Sequence, residues 1–104
     1  MVANTATHFA VSAPANIPGG TAFNVTVTAL DAFENVATGY TRTIHFTTTA
    51  ASAVLPADYT FVAGDNGVKM FSVTLNTFGS QTVTVKDTLN NLIAGTSNMI
   101  FVGS

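Results

Sequence analysis

The sequence predicts an all-β chain, and three observations carry the prediction. Apolar residues recur at every second position in about seven short runs, the pattern of strands with one buried face. Clusters of Gly, Pro, Asn and Asp separate those runs at near-regular intervals. Nowhere do apolar residues keep a 3.6-residue spacing between helix caps. About seven short strands so arranged are what an immunoglobulin-like Greek-key β-sandwich requires, here antiparallel, in two sheets and without a disulfide because there are no cysteines.

Taken in order, Asn4 to Thr7 reads as a lead-in or linker, and His8 to Ser12 as a first strand with Phe9 and Val11 on one face. Pro14 to Gly20 reads as a connection rather than a strand, because Pro lacks a backbone donor and paired Gly punctuates the chain. The centre of the pattern is Thr21 to Phe46. In its first arm Phe23, Val25, Val27 and Ala29 alternate with Asn24, Thr26 and Thr28, and only Leu30 breaks the polar face. The intervening DAFENVATGY is rich in turn formers, whose short carboxylate and amide side chains bond nearby backbone N–H groups. In the second arm, Thr41 to Thr48, Ile44 and Phe46 alternate with Thr43, His45 and Thr47.

Thr49 to Ala53 is weakly patterned, and Val54 to Pro56 reads as a short edge piece, since Pro sits only at sheet edges or breaks. Tyr59 and Phe61 then alternate with Thr60 and Val62. Ala63-Gly64-Asp65-Asn66-Gly67 is a reversal, and Val68 to Leu75 is a long strand with Phe71, Val73 and Leu75 on one face. Phe78-Gly79-Ser80 turns the chain into Thr82 to Asp87. Asn90-Asn91 marks a hairpin turn within Thr88 to Leu92. Ile93 to Val102 closes the pattern, with Gly95 read as a bulge. The predicted inward set is Phe9, Val11, Phe23, Val25, Val27, Ile44, Phe46, Phe61, Phe71, Val73, Leu75, Val83, Val85, Ile100 and Val102. With eight Phe, no Trp and no Cys, this is a Phe core and not an antibody-type one.

The 104 residues fit a single domain, 1–104, with the strand pattern over 8–102. Charged residues make up only 8% of the chain, against about 25% in ordinary soluble domains. Eighteen Thr supply polar surface instead, on positions that suit β-branched residues. Such a composition is associated with secreted bacterial surface proteins, so the expected location is extracellular, at the bacterial cell surface. Arg42, Lys69 and Lys86 are scattered, which excludes the basic stripe that nucleic acid needs. No apolar run approaches the roughly 20 residues of a membrane span. MVANTATHF lacks the basic and apolar regions of a signal peptide, so an exported protein would carry its signal elsewhere.

The runs VTVTALDAFENVATGYTRTIHF and LPADYTFVAGDNGVKMFSVTLNTFGSQTVTVKD resemble the bacterial immunoglobulin-like repeats of large secreted and surface proteins, the group that includes the invasin and intimin modules. The Asp-x-x-x-Asn turn, the Thr38-Gly39-Tyr40 step and the Asp-Asn-Gly turn come in the expected order, and the likeness covers roughly Phe9 to Val102. Members usually carry Gly where Glu34 stands. The resemblance implies a non-catalytic spacer or stalk module, one of many in tandem, whose partners are neighbouring immunoglobulin-like repeats of the same chain. It implies no particular ligand: members also serve as adhesin tips, which would use the 31–40 end loop to contact a carbohydrate or host protein. Strand exchange into a filament is a third expectation, because few charges blunt the sheet edges.

No residues are assigned to catalysis, cofactor binding or metal binding. Asp31, Glu34 and Asn35, or Asp65 and Asn66, offer oxygen ligands to a hard cation, but one or two carboxylates per loop fall short of a full ligand set. Capping of the loop by Asp31 and Asn35 is the favoured reading. His8 and His45 flank inward residues and so point outward, with no third ligand for zinc and no evident orienting acid for a triad. No G-x-S-x-G elbow occurs. A Lys–Asn isopeptide bond from Lys69 or Lys86 to Asn98 would need a buried lysine, and Lys86 lies on the polar phase of its strand. The Thr-x-Thr steps (26/28, 41/43, 82/84) follow from strand alternation. Tyr40 and Tyr59, beside turns, are the only rings of that kind for stacking on a sugar. Asn24-Val25-Thr26 is a glycosylation sequon only in a eukaryotic secretory setting. The isolated domain is expected to be a monomer.

Overall fold

A computed structural model describes residues 6–90 and 92–103. Among the described residues there are eleven short strands: β1 His8–Ser12, β2 Asn16–Pro18, β3 Ala22–Leu30, β4 Thr43–Thr48, β5 Ala53–Val54, β6 Tyr59–Thr60, β7 Val68–Leu75, β8 Gly79–Gln81, β9 Val83–Asp87, β10 Ala94–Thr96 and β11 Ile100–Gly103. One sheet has the order β1-β3-β7-β5, the facing sheet β10-β9-β4-β6, and a small third sheet β2-β11-β8 continues the second. Every pairing is antiparallel except β2 with β11. Counted as continuous runs, with β1–β2, β5–β6, β8–β9 and β10–β11 each taken together, this is the seven-run Greek-key sandwich that the periodicity predicts.

The fifteen predicted inward residues are all buried, and Val25, Val27, Ile44, Leu75, Val83, Val85, Ile100 and Val102 are completely so. Alternation decides this: β3 buries Phe23, Val25, Val27 and Ala29 and turns Asn24 to solvent. Burying each large apolar side chain contributes about 1.5–3 kcal/mol. The rings of Phe46 and Phe71 meet edge to face across the sandwich at 4.8 Å, and Tyr59 covers Phe71 at 5.2 Å. Ile17 of β2 joins the core, as do Ala6, Ala37, Tyr40, Ala50 and Ile93, which lie outside the strands.

Several boundaries differ from the sequence reading. Pro14 to Gly20 does contain a strand: Ile17 faces the core and Asn16–Pro18 pairs with β11, which Pro18 tolerates because β2 lies on a sheet edge. Pairing also begins earlier than His8, since the Thr7 N–H donates to the Leu30 carbonyl at 2.8 Å. Asn4 and Asn91, read as linker and turn, lie outside the described residues. Gly95 is not a bulge. It pairs regularly with Val85, and a Cβ there would stand 2.0 Å from the Phe9 carbonyl oxygen, so Gly lets β10 approach β1 and close one side of the sandwich.

The breaks in the first and last runs are tied together by Asn98. Its Oδ1 accepts from the Ala13 N–H at 3.0 Å and its Nδ2 donates to the Ala13 carbonyl at 3.1 Å. Beside it, buried Ser97 accepts the Val83 N–H at 3.0 Å. The chain runs from β1, whose His8 lies opposite Leu30, to β11, whose Gly103 lies opposite Pro18. The two strands thus meet the ends of a body measuring 49 × 23 × 23 Å. We call these ends the loop pole, with connections 31–42, 61–67 and 88–93, and the tail pole, with 13–21, 49–52 and 76–78.

Candidate functional site

The loop pole gathers most of the polar residues singled out in the sequence. Asp31 follows β3 and organises the first loop: its Oδ1 accepts the N–H groups of Phe33 at 2.8 Å and Asn35 at 2.9 Å, and the Asp31 N–H donates to the Asn35 carbonyl. Capping by Asp31 is therefore present. Asn35 takes part through its backbone only. Glu34 adopts φ 65°, the left-handed conformation that Gly would hold most easily. Oδ2 of Asp31 is buried and meets no hydrogen-bond donor among the described residues.

The second loop is tied to Asp65. Its Oδ2 accepts the Tyr59 hydroxyl at 2.6 Å and the Val62 N–H at 3.1 Å. Those donors, the phenol first, hold its carboxyl below the usual carboxylate range, while the same hydrogen bond pushes the Tyr59 phenol up. Asn66 and Gly67 complete the reversal at positive φ.

Asp87 anchors the third loop, a role the sequence does not announce: there it is only the last residue of the Thr82 to Asp87 strand. It is fully buried at the end of β9. Its Oδ1 accepts the N–H groups of Leu89 at 2.8 Å and Asn90 at 3.1 Å. Its Oδ2 accepts the Tyr40 hydroxyl at 2.7 Å and lies 3.1 Å from Arg42 Nε. One carboxylate therefore holds two loops. Burial first, then the bond to Asp87 and its charge, push the Tyr40 phenol well above its ordinary range. The available signal was phase: Asp87 sits two residues after inward Val85.

The remaining candidates are placed as follows. His8 Nε2 meets Glu34 Oε2 at 3.0 Å, and His45 Nδ1 meets Asp58 Oδ1 at 2.6 Å. Each histidine thus has a carboxylate beside it, which corrects the expectation of none; the partners come from loops 26 and 13 residues away and were invisible in local sequence. No group of three or more His, Cys, Asp or Glu among the described residues is placed to hold a metal ion. Lys69 and Lys86 are exposed, and Asn98 is engaged with Ala13. Tyr40 is buried and Tyr59 packs against Phe61 and Phe71, so neither presents a free ring to a sugar. Large apolar side chains that face solvent at this pole include Phe33, 83% exposed, Leu89, 78%, and Leu92, 87%, among exposed polar and charged ones such as Glu34, Asn35 and Arg42.

No protein-family model and no curated protein matches the chain. Solved structures similar to it over 99% of its length include the following two. One is the PKD domain of an M14-like peptidase from Thermoplasmatales archaeon SCGC AB-540-F20, 18% identical, covered over its whole length, with a TM-score of 0.54. The other is surface layer protein SbsC, domains 4–9, 19% identical, with a TM-score of 0.55; the chain spans 15% of it. At these identities the likeness concerns the fold, and the fold they share with this chain is the immunoglobulin-like β-sandwich.

Proposed function

We propose that the chain is a non-catalytic, extracellular immunoglobulin-like module that spaces other domains in a large bacterial surface or secreted protein, as the invasin and intimin modules do. The observation that carries this reading is axial: β1 starts at one end of a 49 Å body and β11 finishes at the other, so modules joined head to tail extend a rod. The buried carboxylates support it, because Asp31 and Asp87 are spent on backbone N–H groups of their own loops and not aimed at a substrate. Fold likeness to a surface-layer protein module agrees with the location. The test is to assay the isolated chain against glycans, host matrix proteins and generic ester, peptide and glycoside substrates.

A second reading has Phe33, Leu89 and Leu92 in its favour. Exposed apolar groups on loops at one end of a sandwich are where an adhesive module would meet a carbohydrate or host protein. Loss of binding on substituting those three residues would establish it.

A further inference from the structure

One long strand of the first sheet has an open side. β3 runs along most of β7, but on the other side β5 reaches only Thr74 and Leu75. The Ala29 N–H donates to the Gly67 carbonyl at 2.8 Å, and the Asn76 N–H to the Ser52 carbonyl at 2.9 Å. Because successive residues of a strand turn their backbone groups to alternate sides, Lys69, Phe71 and Val73 bond to β3, while Val68, Met70 and Ser72 face the open side. No hydrogen bond to the N–H or C=O of those three occurs among the described residues. Met70, 56% exposed, and Val54 of β5, 63%, border the gap.

A bare stretch of this kind is a template for another strand. The strand that fits its length is the same stretch of a second copy. Run antiparallel, with Val68 opposite Ser72 of the second copy and Met70 opposite Met70, every free group on both edges finds a partner. In that register Thr74, where β5 stands, lies opposite Asn66 of the second copy. The positive φ of Asn66 and Gly67 has by then turned that chain out of the strand, so β5 does not obstruct it.

Lys69 stands in the middle of this stretch and is the sole formally charged side chain in β1, β3, β5 and β7. It shares the face of buried Phe71 and Val73, yet is itself exposed. Its Nζ lies 5.7 Å from the ring centroid of Tyr59, in β6 of the facing sheet, so the side chain reaches across the mouth between the sheets. Among the described residues it forms no ion pair, and neighbouring Asp65 holds the Tyr59 hydroxyl and the Val62 N–H. Edge pairing would set Lys69 opposite Phe71 of the second copy and bring the two lysines onto one face, diagonally about 7–8 Å apart. Both ammonium groups would leave water against aromatic rings, which costs more than an exposed edge returns.

We propose that the open edge of β7 is a strand-addition surface complementary to a second copy of itself, and that Lys69 keeps it unpaired. An inward-pointing charge on an edge strand guards it in this way. Because the contact is the same patch on both copies, it closes on itself, and removing the guard gives a dimer rather than a fibre.

The test measures mass in solution and amide hydrogen exchange at concentrations up to about 1 mM. The unsubstituted chain and Lys69→Arg should keep the mass of one chain, with fast exchange at Val68, Met70 and Ser72 and slow exchange at Phe71 and Val73. Lys69→Thr removes the charge without adding apolar surface. Its mass should rise toward that of two chains, and the three edge amides should slow by about tenfold or more. Adding Met70→Pro deletes an edge donor that the fold does not use, and should return Lys69→Thr to a single chain. Slow exchange at Val25 and Val73 checks that each variant is folded. The proposal is overturned if Lys69→Thr stays a single chain, dimerises without slowing the edge amides, grows beyond two chains, or still dimerises with Met70→Pro. A dimer of the unsubstituted chain or of Lys69→Arg would equally overturn it.

Discussion

The hydroxyl of Tyr40 donates to Oδ2 of Asp87 across 2.7 Å, joining the start of the second central strand to the end of the sixth run. Because both groups are buried, neither can exchange its partner for water when the other is removed. Tyr40→Phe should lower stability by about 1–3 kcal/mol, and Asp87→Ala by about 3 kcal/mol or more, since it also strands the Leu89 and Asn90 N–H groups. Chemical denaturation of both variants checks this. Asp87→Ala costing less than Tyr40→Phe would show that the carboxylate does not organise the loop.

The aromatic contact between the sheets gives the core prediction. Phe46→Ala or Phe71→Ala should cost about 3–5 kcal/mol, a large share of the stability of an ordinary domain. A loss below about 1 kcal/mol would mean that the cavity collapses or that the strand phase is wrong.

Those strand phases were the most legible part of the sequence, because a period-2 pattern with Phe and Val on one side has one sensible burial. The Asp31 and Asp65 turns were legible for a similar reason: the bonds that shape them span few residues. What stayed hidden depends on distant partners. Tyr40 and Asp87 are 47 residues apart, and His8 finds Glu34 only once β1 pairs with β3. The strand at Ile17 was hidden by its neighbouring prolines and glycines, which only an edge position accommodates. At the poles, the exposed Phe33, Leu89 and Leu92 were hidden because periodicity says nothing about residues outside the strands.

Calcium should leave the melting temperature unchanged. The loop carboxylates Asp31 and Asp65 already accept donors of the chain, and neither belongs to a group of three or more His, Cys, Asp or Glu placed to hold a metal among the described residues. A ligand bound only by the native state must raise its stability, so a rise of several degrees on adding calcium, reversed by chelator, would contradict this.

The contributions of Asp65, Tyr40 and Tyr59 to stability should be constant between about pH 4 and pH 10 and be lost outside that window. On the acid side, Asp65 has its carboxyl depressed by the Tyr59 hydroxyl and the Val62 N–H. Its contribution is present above the ordinary carboxylate value and lost as pH falls through the depressed one. On the alkaline side, Tyr40 and Tyr59 have raised phenols, so their contributions are present below about pH 10 and lost as pH rises. Melting curves against pH check both limbs. Tyr59→Phe should flatten the acid limb, and an unchanged acid limb would separate Asp65 from it.

The central claim is that this chain works by position and length. Its most direct test is a binding screen of the isolated chain against arrays of glycans and host matrix proteins, with its mass in solution measured alongside. The account predicts a monomer at micromolar concentration that captures none of them. Specific binding with Kd at or below about 1 μM, roughly −8 kcal/mol, would contradict it and make the loop pole an adhesive surface.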